Sequence, residues 1–154
     1  MNTERLTFFF YGTLMDAAIC ARVTGMAVTA ARLRPATLDD YKIVRVADQH
    51  YPTLVPSPGE RVQGRLLRNV GPEAQRRLAI YEGDSYEAKW VRVKGVGGIK
   101  AMALSFLSGP KMQATDEPWD FDEWCRQHRR PFLMGLDRWI ASTDKIGKAA
   151  DVLR

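Results

Sequence analysis

Tyr11, Gly12, Thr13 and Leu14 follow directly on the apolar run Leu6-Thr7-Phe8-Phe9-Phe10 and lead into a helical pattern, a junction whose residue types suit the binding of a negative group. A run of this length and type reads as a buried strand, and Gly12 allows backbone torsions that residues with a Cβ avoid. Amides beyond the glycine can converge on a carboxylate or phosphate, helped by the N-terminus of a helix expected near Asp16. Taken alone, the same residues also fit a plain strand-to-helix corner. Nucleophilic chemistry has little else to draw on. The chain has two histidines, His50 and His128, and neither sits in a Ser or Cys motif. Its two cysteines, Cys20 and Cys125, do not combine with them at metal-ligand spacing. What remains favours a reaction in which the substrate brings its own nucleophile and the protein supplies one acid-base group, oriented donors and a dry pocket.

The elements that must position such groups can be read from pattern. After the first strand, residues 16–23 suit a short helix closed by Gly25, and residues 28–33 alternate toward Pro35. Residues 41–46, 53–55 and 62–70 are β-like, with Pro56-Ser57-Pro58-Gly59 expected to turn the chain between the last two. Pro72 opens a short helix through Ile80, ended by Tyr81-Glu82-Gly83-Asp84. Asp39, Asp40 and Asp84 read as turn residues. Gly95-Val96-Gly97-Gly98 is a hairpin turn between residues 90–94 and 99–104. Further on, Phe121, Trp124, Cys125, His128, Phe132, Leu136, Trp139 and Ile140 keep helical spacing, a stripe suited to lying across a sheet. Pro131 within it predicts a kink or a split. Strands mixed with a few helices, without regular βαβ alternation, predict an α+β fold.

At 154 residues the chain reads as one domain, 1–154, with a long helical segment at about 119–142, able to bury its own core. Cys20 and Cys125 read as reduced core thiols. No signal pattern and no apolar run near the roughly 20 residues of a membrane span are present, which points to a soluble, cytoplasmic protein without a membrane partner. A net charge of +5 and a pI near 9.4 raise the question of a nucleic-acid partner. The distribution argues against one, because Arg126, Arg129 and Arg130 are interleaved with Asp120, Asp122 and Glu123 while Lys145, Lys148 and Arg154 lie in a tail. Trp119, Trp124 and Trp139 suggest an apolar patch that a second copy would cover in a homodimer.

Four segments in order carry a likeness to a known family. They are Tyr11-Gly12-Thr13-Leu14; Pro52-Thr53-Leu54-Val55-Pro56-Ser57-Pro58-Gly59 with Val62-Gln63-Gly64-Arg65-Leu66; Tyr81-Glu82-Gly83 with Tyr86 and Val91-Arg92-Val93; and Trp119-Asp120-Phe121-Asp122-Glu123-Trp124. Together they resemble the gamma-glutamylcyclotransferase-like family, which includes the gamma-glutamylamine cyclotransferases and the plant avirulence-induced proteins. The likeness covers roughly residues 6–140. It departs at Ala88, followed by Lys89, where the family often has an arginine, and at Phe106, where it often has a tyrosine. Both departures bear on substrate choice.

The resemblance implies a small, twisted, mostly antiparallel sheet curled into a partial barrel with flanking helices and a cavity at one mouth. It implies a cofactor-independent enzyme, of amine-lyase or acyltransferase type, acting on a small gamma-glutamyl substrate. The substrate's α-amine attacks its own γ-carbonyl, giving 5-oxoproline and a released amine or amino acid. Glu82 would be the general base and acid, with its pKa raised by burial. Tyr11, Gly12, Thr13 and Leu14 would bind the α-amino-acid end and hold the developing oxyanion, with Tyr86 as a hydrogen-bond donor to the substrate. Without the resemblance, Glu82 reads as a solvated surface acid. The competing reading is a non-catalytic small-molecule binding or regulatory module on the same fold.

Overall fold

The Phe-rich run at the start of the chain forms β1 (Leu6–Phe10), whose last three residues are all buried. Five more strands follow: β2 (Arg34–Val46), β3 (Pro52–Val70), β4 (Tyr86–Lys94), β5 (Lys100–Ser108) and β6 (Ala114–Pro118), with helices α1 (Ala17–Thr24), α2 (Pro72–Glu82) and α3 (Phe121–Val152). This computed structural model describes residues 4–152, without the side chains of 143–152. It divides into two compact units, Met1–Trp119 and Asp120–Arg154.

In the first unit the strand order is β3-β1-β5-β4-β2-β6, and a further β3–β2 pairing joins the ends of the first five strands. The sheet is therefore a closed five-stranded barrel with β6 added, α+β as expected but closed where a partial barrel was anticipated. All pairings are antiparallel except β1 with β5. Its interior is filled by alternate residues of each strand, among them Phe9, Tyr11, Leu38, Leu54, Val62, Leu66, Val91, Val93, Ala103 and Leu107. Gly64 lets β3 close on β1: a Cβ there would lie 2.5 Å from the Phe10 carbonyl oxygen and from the Phe9 ring.

The Pro56–Gly59 segment does not turn the chain. β3 runs through it and stays paired with β2 on both sides, Asp39 opposite Arg61 and Tyr41 opposite Pro56, so residues 57–60 bulge out against Asp40 alone. Asp40 takes φ 68°, and its carboxylate accepts from the Gly59 amide at 2.9 Å. Asp39 and Asp40 are thus strand residues, and Asp39 also pairs with Arg61 at 3.0 Å and Lys94 at 2.9 Å across three strands. Residues 28–33 hold no strand but a short 3₁₀ turn, Ala30–Arg32. The β4–β5 hairpin is as predicted, closed by Gly95 donating to Ile99 at 2.7 Å with Gly97 and Gly98 at positive φ.

The second unit is α3. Asp120 accepts from the Glu123 amide at 2.9 Å at its start, with Asp122 and Glu123 in the first turn, where carboxylates are favoured. Pro131 does not split it; the helix is continuous from Phe121, since one proline removes a single donor and the ladder on either side persists. Trp124 stacks near Phe121 and meets Phe132 edge-on at 5.2 Å. Of the three tryptophans expected to form a patch, Trp119 and Trp124 are buried and Trp139 is 38% exposed. Both cysteines are free thiols. The basic tail residue Arg154 and the side chains of Lys145 and Lys148 lie outside the described residues. No helix among the described residues is long and apolar enough to cross a membrane.

Candidate functional site

At the end of β1 the chain enters a single 3₁₀ turn, Thr13–Met15, in which Met15 and Asp16 donate back to the Gly12 and Thr13 carbonyls at 3.0 and 3.1 Å. The first amides of such a turn have no partner inside it, and the Gly12 cap offers no side-chain acceptor. Helix α1 starts at Ala17, one residue after the expected start at Asp16, and its N-terminus is closed by the chain's own Asp16 carboxylate, which accepts from the Ile19 amide at 3.1 Å. The amides left to receive a ligand are thus those of the Tyr11–Leu14 loop and not those of α1. Tyr11, Thr13 and Leu14 are buried and Gly12 is half-buried. A Cβ on Gly12 would come within 3.1 Å of the Pro52 ring, so loop and β3 meet closely here.

Glu82 is the last residue of α2, which runs two residues past the expected end at Ile80, and Gly83 at φ 74° ends the helix after it. Its side chain is partly buried, and loss of solvation raises its pKa from the ordinary 4.5 to about 8. Three phenols feel its charge. Burial first, and Glu82 after it, push Tyr11 above the ordinary phenol range; burial, then Tyr11, then Glu82 do so for Tyr86; Tyr81 is raised by burial and by Glu82 while its bond to Thr13 works the other way. Tyr11, Thr13, Tyr81, Glu82 and Tyr86 are therefore gathered at one place from the segment just after β1, the end of α2 and the start of β4. Among the described residues, no group of three or more metal-ligating side chains is present.

Each aromatic hydroxyl is tied. Tyr11 donates to the Phe106 carbonyl, Tyr86 donates to the Pro52 carbonyl at 2.7 Å, and Tyr81 shares a 2.7 Å hydrogen bond with the Thr13 hydroxyl. With its one proton on the Pro52 carbonyl, Tyr86 offers acceptor lone pairs in this arrangement, and the donor role expected of it toward a substrate would require that proton to turn away from Pro52. Phe106 contributes its backbone, because its ring stacks on Phe8 at 5.9 Å, on the sheet face opposite to Ala103 and Leu107. Ala88 lies directly opposite Phe106 in the β4–β5 ladder, so the two departures from the family pattern are one cross-strand pair. Thr53, fully buried and close enough to Tyr11 to act on its phenol, has no hydrogen-bond partner for its hydroxyl among the described residues.

Sequence reasoning named the Tyr11–Leu14 loop, Glu82 and Tyr86, which the fold brings together, and gave Tyr81 no role of its own. The signal for Tyr81 was its hydroxyl, since a phenol at a buried helix end needs a partner. The Pro52 and Phe106 carbonyls carry no side-chain signal at all.

Solved structures share this architecture. One is an Arabidopsis thaliana protein determined in solution, with a TM-score of 0.64 and 21% identity over 94% of this chain and 88% of that one. Another is a gamma-glutamyl cyclotransferase, with a TM-score of 0.62 and 20% identity over 72% of this chain and 70% of that one. At those identities the likeness is one of fold. Among relatives by sequence, AIG2-like protein A of Arabidopsis thaliana is 27% identical over 127 residues, 81% of this chain and 75% of the relative. AIG2-like protein D of the same plant is 28% identical over 138 residues, 81% and 82% of the two chains. The gamma-glutamyl cyclotransferase, AIG2-like family profile matches residues 8–126, from β1 into the opening of α3, and the chain belongs to that family.

Proposed function

We propose that this protein is a gamma-glutamyl cyclotransferase that converts a gamma-glutamyl amide into 5-oxoproline and a free amine or amino acid, with Glu82 carrying the protons. The observation that carries this reading is the meeting of Glu82, raised to about 8 by desolvation, with the Tyr11–Leu14 loop. A carboxylate lifted this far from 4.5 toward the range of an ammonium group takes a proton from one at a smaller cost in free energy, the direction in which a general base gains.

In this reading the loop amides hold the substrate's α-carboxylate end and the developing oxyanion, a donor of that kind being worth about 3 kcal/mol in rate. The oxygens of Tyr11 and Tyr86 accept from the α-ammonium. Glu82 takes a proton from it, and the freed lone pair attacks the γ-carbonyl carbon. The new C–N bond forms and the old amide C–N bond breaks. Overall two protons pass from the α-nitrogen to the leaving nitrogen by way of Glu82, so the products are neutral lactam and protonated amine. Holding amine and carbonyl in contact contributes further, about 7 kcal/mol or more in the best intramolecular cases. The free thiols Cys20 and Cys125 fit a reducing, cytoplasmic setting.

The test is 5-oxoproline release from a panel of gamma-glutamyl amines, gamma-glutamyl amino acids and glutathione, comparing the native chain with Glu82→Gln. Release that the substitution abolishes without unfolding supports the reaction. Ligand binding without release from any member would instead mark a binding module on the same fold.

A further inference from the structure

We propose that Tyr81 is a positioning residue, its hydroxyl strapping the Thr13 turn to the end of α2 so that the substrate-holding loop and the Glu82 carboxyl keep one fixed separation. This rests on the proposed function, in which that loop and that carboxyl act on the same substrate. The two groups come from different elements: Thr13 opens the turn after β1, and Glu82 closes α2 nearly seventy residues later. Nothing in the covalent chain fixes their distance.

Side-chain ties cross from α2 to the segment that carries the turn, among them those of Arg77 and Tyr81. Arg77 donates to the Val23 carbonyl at 2.9 Å, at the far end of α1. Tyr81 meets the Thr13 hydroxyl at 2.7 Å, inside the site and one residue from Glu82. Thr13 is 8% exposed and Tyr81 is half-buried, so the bond is partly shielded from water. Burial also raises the Tyr81 phenol above its ordinary range, so the bond keeps its proton at neutral pH. Neither hydroxyl is asked to touch a reacting atom. Their role is geometric, and geometry of this kind is consequential: a displacement of about 1 Å at a reacting pair costs on the order of 100-fold in rate.

The experiment is a double-mutant cycle on 5-oxoproline release, with Tyr81→Phe, Thr13→Val and the pair, and with Arg77→Met as a tie of the other kind. The expected result is a fall in kcat of about tenfold or more for each single variant with KM within about twofold, and no further fall in the double variant. Arg77→Met is expected to lower the melting temperature while leaving kcat near the native value. Native kcat in Tyr81→Phe, or independent losses that multiply in the double variant, would overturn the proposal. If the native chain releases no 5-oxoproline, the proposed reaction fails, and the strap is judged separately by NMR titration of the Glu82 carboxyl. A matching downward shift in both single variants and the pair, absent in Arg77→Met, upholds it; an unmoved titration removes it.

Discussion

The Tyr86 hydroxyl reaches across the barrel from β4 to β3 and gives its only proton to the carbonyl of Pro52. What it presents to a ligand is therefore an acceptor, which suits an ammonium and not a carbonyl. Tyr86→Phe should raise KM about tenfold, the size of losing a hydrogen bond to a charged group worth about 1.5 kcal/mol, with a smaller change in kcat. Steady-state kinetics on the best gamma-glutamyl substrate decides the point, and a loss confined to kcat would count against the acceptor role.

The pH profile follows from Glu82. In the proposed reaction the base form is needed in the free enzyme, and it appears as pH rises through about 8. Consequently kcat/KM should climb between pH 6 and pH 8. A profile flat across that interval would mean that Glu82 does not take the first proton.

Stability should run the other way. The folded pKa of Glu82 lies above its ordinary value of 4.5, so the folded protein holds the proton more tightly than the unfolded chain does. Stability is therefore lost as pH rises from about 4.5 to about 8. Glu82→Gln removes this slope, so urea denaturation at pH 5, 6, 7 and 8 should find the variant gaining steadily on the native chain. Parallel curves would show that Glu82 is solvated.

Two glycines separate folding from function. Gly64→Ala places a methyl 2.5 Å from the Phe10 carbonyl oxygen, where backbone must move, and should destabilise by about 1–3 kcal/mol or more. Gly12→Ala meets only the Pro52 ring, at 3.1 Å, so the protein should fold while the loop shifts by a few tenths of an ångström. Denaturation curves beside kcat/KM separate the two, with Gly64→Ala failing mainly in the first and Gly12→Ala mainly in the second.

Much of this was legible where the signal is local. Gly25 ends α1, Pro72 opens α2, and the glycines at 95, 97 and 98 make the hairpin, each because a few neighbouring torsions decide the matter. Glu82 and the Tyr11–Leu14 loop were legible through family likeness, although their meeting depends on a barrel whose closure no local pattern encodes. Where distant pairing wins, local reading failed. Pro56-Ser57-Pro58-Gly59 has every mark of a reversal, yet Asp40 on β2 accepts Gly59 and the ladder resumes beyond it. β6 was missed because Ala114–Pro118 is polar and shows no alternation, being held by pairing with Val44 and Val46. The hydroxyl ties of Tyr11, Tyr81 and Tyr86 end on residues 95, 68 and 34 positions away, beyond any spacing rule.

The barrel also leaves two strand margins open. β1 pairs with β3 only from Arg65 onward, so the preceding arm has β2 on one side alone, and β6 stands last in the sheet order. Bare margins of this sort invite another molecule to add a strand and begin aggregation. Here one arm carries Pro52, Pro56 and Pro58, and the other carries Asp116, Glu117 and Pro118. Residues without an amide hydrogen, and charges that repel their own kind, make poor templates for an incoming chain. The proline-rich segment that reads as a bend in the sequence thus leaves, along the margin of β3, few amides for a neighbouring chain to pair with.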